Sequence, residues 1–248
     1  MEFTFAAPPR VAFFDSGIGG LTLLNECVRK LPYVNFVYFA DNFNMPYGNK
    51  PADEVLNLVD AQFQKISAVN PSAAVIACNT VTAACAKYLR SKYSFPIIGI
   101  QPAVKPAAKE GGRCIVLATP STAASVPVKE LVQKYGNGIT EVVPCDRLAA
   151  YIENHVFDLS YDKIAGMLPK ESADSVVLGC THYIFAEQYI AQFYKCRVYD
   201  GLAGTASRLC EILGTDDHFC GLRGEVAFIG GNTAKNAAVF ALLNHKSG

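Results

Sequence analysis

Two cysteines stand in near-copies of one phrase, Val75-Ile76-Ala77-Cys78-Asn79-Thr80 and Val177-Leu178-Gly179-Cys180-Thr181-His182. In each, a short apolar run ends at a thiol and polar side chains follow at once. Such a run reads as a buried strand of a parallel α/β sheet, and these sheets place ligands at the carboxyl ends of their strands. Two thiols at equivalent strand ends of two similar halves suit one kind of chemistry: one takes a proton from a carbon on one side while the other returns a proton on the opposite side. Thiolate is the active base, and an unperturbed thiol has a pKa of about 8.5, so each thiol needs help from its surroundings. His182, two residues from Cys180, is a candidate proton partner. Asp15 is a candidate for Cys78, across a cleft.

A single cysteine after an apolar run is more often packing than catalysis. Two equivalent cases, each followed by hydrogen-bonding side chains, shift the balance towards catalysis. Other segments add candidates. Asp15-Ser16-Gly17-Ile18-Gly19-Gly20 follows an apolar run and precedes a helical one. Its glycines allow a sharp turn and close approach to a ligand, and free N–H groups at a helix start attract an anion. The glycines run G-x-G-G, so the dinucleotide spacing G-x-G-x-x-G is absent. An amino-acid carboxylate fits as well as a phosphate, and a plain turn with Asp15 capping the helix is the structural alternative. Asp41 ends another strand-like run, and Pro46-Tyr47-Gly48 follows as a turn. There Tyr47 could close over a small ligand and Gly48 could offer its N–H, although such a turn is often only a turn. Thr119, Ser121 and Thr122 sit after a later strand as Ser16 sits after the first, and their hydroxyls suit either a carboxylate or helix capping.

The elements needed to position these residues alternate along the chain. Arg10–Phe14, Asn35–Phe39, Ala73–Ala77 and Ile97–Ile100 read as strands, with helices over Leu21–Lys30, Ala52–Val69 and Thr82–Lys92. The rhythm then repeats. Strands are expected at Cys114–Ala118, Glu141–Pro144, Ser175–Gly179 and Arg197–Tyr199, with helices at Thr122–Tyr135, Cys145–Val156 and Ile184–Phe193. Val226–Ile229 and Ala234–Leu243 read as a last strand and helix that return to the first half. Alternation of this kind predicts an α/β fold of two similar lobes, each a mostly parallel sheet flanked by helices, with the site in the cleft between them. The expected division is 1–98 plus 207–248 for the first lobe and 99–206 for the second.

Composition narrows the function classes. Only 18% of the 248 residues are charged and 51% are hydrophobic, as in an ordinary folded protein. Lys plus Arg and Asp plus Glu are both 22, and no basic run is present, so nucleic-acid binding has no electrostatic footprint. No apolar run approaches the roughly 20 residues of a membrane helix, and Met1–Pro9 does not read as a signal peptide. A cytoplasmic location is expected. Nine cysteines then read as free thiols rather than disulfides. Cys27, Cys114, Cys196, Cys210 and Cys220 are expected as small packing residues. Cys78 with Cys85, and Cys180 with His182, lack the paired short spacings of structural zinc sites, and no metal is expected. His155, His218 and His245 have no comparable context.

Taken together the phrases resemble those of the glutamate racemases, across nearly the whole chain. The resemblance rests on DSGIGGL at Asp15–Leu21, PYGNK at Pro46–Lys50, ACNT at Ala77–Thr80, FPIIGIQPAVKPA at Phe95–Ala107, LATPST at Leu117–Thr122 and LGCTHY at Leu178–Tyr183. It implies cofactor-independent interconversion of L- and D-glutamate, with Cys78 taking the proton from D-glutamate and Cys180 from L-glutamate. It implies that Asp15, His182 and Glu153 assist the proton transfers, and that Asp15, Ser16, Tyr47, Gly48, Asn79, Thr80, Thr119, Thr122, Thr181 and His182 contact the substrate. It also implies a homodimer and a role in peptidoglycan synthesis. Asn42 and Asn44 depart from the family pattern before the Pro-Tyr-Gly turn, as do Val81-Thr82 and Ile184, and none of these is expected to touch a catalytic residue. Three rivals remain. They are a racemase of aspartate or another acidic amino acid, whose second triplet commonly ends in Glu rather than His; a non-catalytic amino-acid sensor; and a redox protein that cycles a Cys78–Cys180 disulfide.

Overall fold

The computed structural model describes residues 7–136, 138–214 and 223–246. Cys220 and His218 lie outside these residues. Among them, nine strands form two sheets, and every strand pairing is parallel. The first sheet holds β1 (Arg10–Asp15), β2 (Asn35–Ala40), β3 (Ala73–Ile76), β4 (Ile97–Gly99) and β9 (Val226–Ile229) in the order β4-β3-β1-β2-β9. The second holds β5 (Cys114–Ala118), β6 (Thr140–Pro144), β7 (Ser175–Gly179) and β8 (Arg197–Tyr199) in the order β6-β5-β7-β8. Read from its other edge, β8-β7-β5-β6 repeats the β4-β3-β1-β2 of the first sheet. β3 and β7 are therefore equivalent, and Cys78 and Cys180 follow equivalent strand ends.

The strands form where both faces of the sheet are covered. Val11, Phe13, Tyr38 and Val75 pack on one side of the first sheet, while Ala12, Phe14, Phe39 and Ile76 pack on the other. Burial on both faces gives the continuous apolar runs seen in the sequence rather than alternation. The second sheet divides alike, with Ile115, Leu117, Val176 and Leu178 on one face and Cys114, Val116 and Val177 on the other. Cys78 and Cys180 sit on corresponding faces, in the clusters that hold Ile76 and Leu178 respectively.

The helices agree with expectation except where local chemistry intervenes. α1 (Leu21–Lys30) and α2 (Ala52–Ala68) stand as read, and α2 carries Asp53 and Glu54 in its first turn and Lys65 in its last, complementing its dipole. α3 (Asn79–Lys92) starts three residues earlier than expected, which makes Cys78 its N-cap. The helix expected at Thr122–Tyr135 is two, because Pro127 lacks an N–H and its ring would meet the carbonyl of Ala123. α5 (Pro120–Ala124) therefore stops at extended Ser125, and α6 (Val126–Tyr135) restarts with proline in its first turn. Three helices fall outside the expected elements: α4 (Val104–Ala108), α8 (Tyr161–Ala165) and α10 (Leu202–Leu213). α7 (Leu148–His155) is shorter than expected, and a 3-10 turn over Thr181–Ala186 precedes α9 (Glu187–Tyr194). α11 (Thr233–Lys246) closes the chain.

The chain crosses between the sheets near Gln101 and again at Gly201, where a side chain would collide with the Gln101 carbonyl. After the second crossing α10 packs Ala206 and Leu209 into the core of the first sheet. None of the described helices is long and apolar enough to cross a membrane.

Candidate active site

Register places the first set of groups. Phe14 pairs with Ile76, so Ser16 falls beside Cys78, and its hydroxyl lies 3.7 Å from the sulfur. Asp15 is fully buried. Its Oδ1 accepts the Gly17 N–H at 2.7 Å, and its Oδ2 accepts the Thr181 hydroxyl of the opposite lobe at 3.1 Å. Gly20 rather than Asp15 is the N-cap of α1. Burial raises the Asp15 carboxyl to about 6, with His182 pulling it the other way. Burial, followed by the charge of Asp15, pushes the Cys78 thiol up to about 12, and the Val81 N–H and Ser16 hydroxyl offset only part of this.

The second set is built differently. The sulfur of Cys180 lies 3.9 Å from Nδ1 of His182, and Nε2 of His182 lies 2.8 Å from Oε2 of Glu153. Glu153 comes from α7 and is buried, but four donors converge on its carboxylate. Oε2 takes the Ile18 N–H at 2.9 Å together with His182, while Oε1 takes Asn42 Nδ2 at 2.8 Å and Lys235 Nζ at 2.9 Å. Burial alone would raise Glu153. The hydrogen bond and charge of His182, the Ile18 N–H and Lys235 outweigh it and hold the group near 2. Burial likewise opposes charge on His182, but Cys180 and Glu153 overcome it and the imidazole is held well above its ordinary value. With Glu153 ionised, Nε2 carries a proton and Nδ1 faces the thiol, where a proton can pass either way.

This arrangement explains the glycine loop. Gly17, Gly19 and Gly20 all have negative φ, so the left-handed region is not their reason. A Cβ on Gly17 would meet the carboxylate of Glu153, and one on Gly19 would lie 2.5 Å from Thr181 Oγ1 and 2.6 Å from His182 Nδ1. Gly17 and Gly19 let the opposite lobe come close, Gly20 makes room for Ala77 and Tyr38 of its own lobe, and the anion held by the Ile18 N–H is the protein's own glutamate.

A hydroxyl cluster joins the lobes on the other side. Thr80 at the start of α3 lies 3.0 Å from both Thr119 and Thr122, which are themselves 2.9 Å apart. A Cβ on Gly48 would run into Thr119. Asn79 is buried, and neither end of its side-chain amide has a protein partner, as expected of a group whose partner is a ligand. Tyr47 is a core residue rather than a flap. Its ring packs against Phe14 and its hydroxyl donates to Asp41 at 2.6 Å. Thr80 and Gly48 also reach a groove of about 620 Å³ lined by Lys50, Pro120 and Ser121, which opens to solvent.

One expectation is corrected at two positions: Asn42 touches a residue assigned to the proton transfers, since it donates to Glu153, and the Val81 N–H reaches the Cys78 thiol. Asn44, near Asn42, donates to Asp41, the acceptor of Tyr47. Neither Lys235 nor the Ile18 N–H carries a sequence signal, because no spacing points to contacts spanning 82 and 135 residues. His155 is exposed beside Asp158, and His245 is exposed on α11.

A model of the Asp/Glu/hydantoin racemases matches residues 32–209. The chain belongs to this family. It is 40% identical over 212 residues to a glutamate racemase of Clostridium acetobutylicum, with 80% of this chain and 82% of that protein covered. Its fold matches Escherichia coli glutamate racemase, solved with L-glutamate and the activator UDP-MurNAc-ala, at a TM-score of 0.81 and 29% identity over 95% of each chain. A glutamate racemase from Bacillus anthracis matches at 0.81 and 26% identity, covering 97% of this racemase and 95% of that one. The family match begins beyond Asp15, but the fold matches take in nearly the whole chain, and the Asp15–Gly20 loop packs against Glu153, Thr181 and His182.

Proposed function

We propose that this racemase interconverts L- and D-glutamate without a cofactor, in the cytoplasm, supplying D-glutamate for peptidoglycan. The observation that carries the reading is the pair of thiols at equivalent strand ends, each with an ionisable group beside it, the buried Asp15 carboxyl for Cys78 and the His182 imidazole for Cys180. Cys78, as thiolate, takes the α-proton from D-glutamate, breaking C–H and forming S–H. Cys180 then returns a proton to the opposite face. The reverse sequence starts at Cys180 with L-glutamate, and no net proton is consumed. His182 exchanges the proton of Cys180 through Nδ1, with Glu153 holding the ring. Asp15 stands beside Cys78, and the α-ammonium of the substrate would offset the burial that raises this thiol.

The unpartnered amide of Asn79, the Ser16, Thr80, Thr119, Thr122 and Thr181 hydroxyls, and the Gly48 backbone would hold the carboxylates. Such donors lower the cost of the negative charge that develops as the proton leaves. Tyr47 contributes by fixing the Gly48 turn through Asp41. We assign 1–100 with 202–248 to one lobe and 101–201 to the other, in place of the expected cuts at 98 and 206, because β4 runs to Gly99 and α10 packs Ala206 and Leu209 on the first sheet, and we infer a homodimer.

Circular dichroism of L- and D-glutamate, without added pyridoxal phosphate or metal, tests the proposal. Wild type should racemise both, with solvent deuterium entering the α-position, and Cys78→Ser and Cys180→Ser should not. Aspartate in the same assay should turn over poorly. Activity that survives either substitution unchanged would defeat the mechanism, and a preference for aspartate would defeat the substrate.

A further inference from the structure

The contacts of Glu153 divide by origin. Glu153 and His182 belong to the second lobe, whereas Asn42 follows β2 and Lys235 lies in the first turn of α11, which packs on the first lobe. Lys235 breaks a local rule, since a cation in the first turn of a helix opposes the helix dipole. Asn232 caps that turn by accepting the Lys235 backbone N–H at 3.0 Å, and the Lys235 ammonium reaches both Oε1 and the backbone carbonyl of Glu153. Asn42 ties the two together. Its Oδ1 accepts the Asn232 N–H at 3.1 Å while its Nδ2 donates to Glu153. Gly230 and Gly231, both at positive φ, bring this turn against β2, where a side chain on Gly231 would strike Asn42. Lys235 is 22% exposed and Glu153 is 4% exposed at the side chain, so the pair is shielded on the glutamate side. A residue that disobeys its helix yet has a built partner marks a position used for something other than helix stability.

We propose that Lys235, with Asn42, is a positioning residue for racemisation. From the first lobe it grips Glu153 on the second, and Glu153 in turn keeps Nε2 of His182 protonated and Nδ1 aimed at Cys180. The proton relay of one thiol is thus assembled only when the lobes are together. The inference rests on the two-thiol reading above and adds a residue that reaches neither sulfur.

Glutamate racemisation by Lys235→Met, Lys235→Arg, Glu153→Gln and the Lys235→Met/Glu153→Gln double variant tests this. Lys235→Met should lower kcat more than it alters KM, by about tenfold, and Lys235→Arg should restore most of the loss. Glu153→Gln should cost more, and adding Lys235→Met to it should cost nothing further, because the lysine acts through the glutamate. A purely structural lysine would give the same fractional loss in both backgrounds, and that result overturns the proposal. So does a Lys235→Met enzyme as fast as wild type. A wild type inactive on glutamate removes the two-thiol reading, and the latch as an aid to that reaction falls with it. An active wild type indifferent to Lys235 removes the latch alone.

Discussion

The two thiols occupy equivalent places in equivalent sheets, yet the molecule surrounds them with opposite electrostatics. Around Cys78 the nearby acid is a buried carboxyl raised to about 6. Around Cys180 the partner is an imidazole held well above its ordinary value by a glutamate that is itself held near 2. Asp15 and Glu153 are both buried carboxylates, and what separates them is the count of donors. Asp15 has one backbone N–H and one hydroxyl, whereas Glu153 has an imidazole, an ammonium, an amide and an N–H. Burial penalises both, and only Glu153 has enough partners to overcome it. On the two-thiol reading proposed above, near-symmetry of the backbone places two bases and asymmetry of the side chains tunes them differently.

The largest expected effect tests whether the arms are equally necessary. Cys78→Ser and Cys180→Ser should each lower kcat/KM by about 10³-fold or more. Each loss should be the same from either enantiomer, because the two enantiomers have equal free energy and the ratio of kcat/KM values cannot depart from unity. A variant that runs in one direction only would break the comparison at its root. The measurement is initial-rate circular dichroism from each side.

Removing the carboxylates should separate the arms by stability. Glu153→Gln breaks a buried ion pair and should cost about 3–5 kcal/mol in urea unfolding. Asp15→Asn should cost little or stabilise the fold at neutral pH, since ionising the buried carboxyl sacrifices roughly 3 kcal/mol by its displacement from the ordinary value. Both variants should lose activity. Equal stability losses would mean that the two carboxylates are not differently solvated after all.

The pH dependence of stability carries the same contrast. Asp15 binds its proton more tightly when folded, so it makes stability fall as pH rises from about 4 through about 6. Glu153 binds its proton less tightly when folded, so its contribution is present above about 4.5 and is lost as pH falls towards 2. His182, raised in the fold, adds stability that is complete below its ordinary value of 6.5 and is lost as pH climbs through the folded one. Wild type should therefore be most stable on the acid side of neutrality. Asp15→Asn should remove the decline between pH 4 and 6 while leaving the acid limb of Glu153 in place.

What could be read from the sequence follows the same physics. Strands buried on both faces leave continuous apolar runs, and the partly exposed β6, β8 and β9 still carry short β-branched or aromatic runs, so all nine strands were visible, and a duplicated phrase exposed Cys78 and Cys180. The spacing of Leu202, Ala206, Leu209 and Leu213 is that of an amphipathic helix, but α10 begins where the chain crosses between lobes, and the division expected at 206 falls inside it. Pro127 divides α5 from α6, yet the apolar residues on either side of it read as the single helix expected over Thr122–Tyr135. Asn42 and Lys235 had no such signature, because a hydrogen bond between distant segments imposes no period on either. Asn42 was visible only as a departure from its relatives, and its meaning depended on a partner in the other lobe.

The smallest effect isolates the single hydroxyl that Asp15 receives from the opposite lobe. Thr181→Val keeps the shape of the side chain and deletes the bond to Oδ2, worth about 1 kcal/mol net, or somewhat more for a charged acceptor. The Thr181 bond lowers Asp15, so its loss should move the carboxyl further up and shift the fall in stability towards higher pH. The Cys180–His182–Glu153 contacts do not pass through the Thr181 hydroxyl and should keep their acid limb unchanged. If Thr181→Val moved the Glu153 limb as well, the two arms would share one network, and the opposition between them would be a property of the whole cleft rather than of each thiol's neighbours.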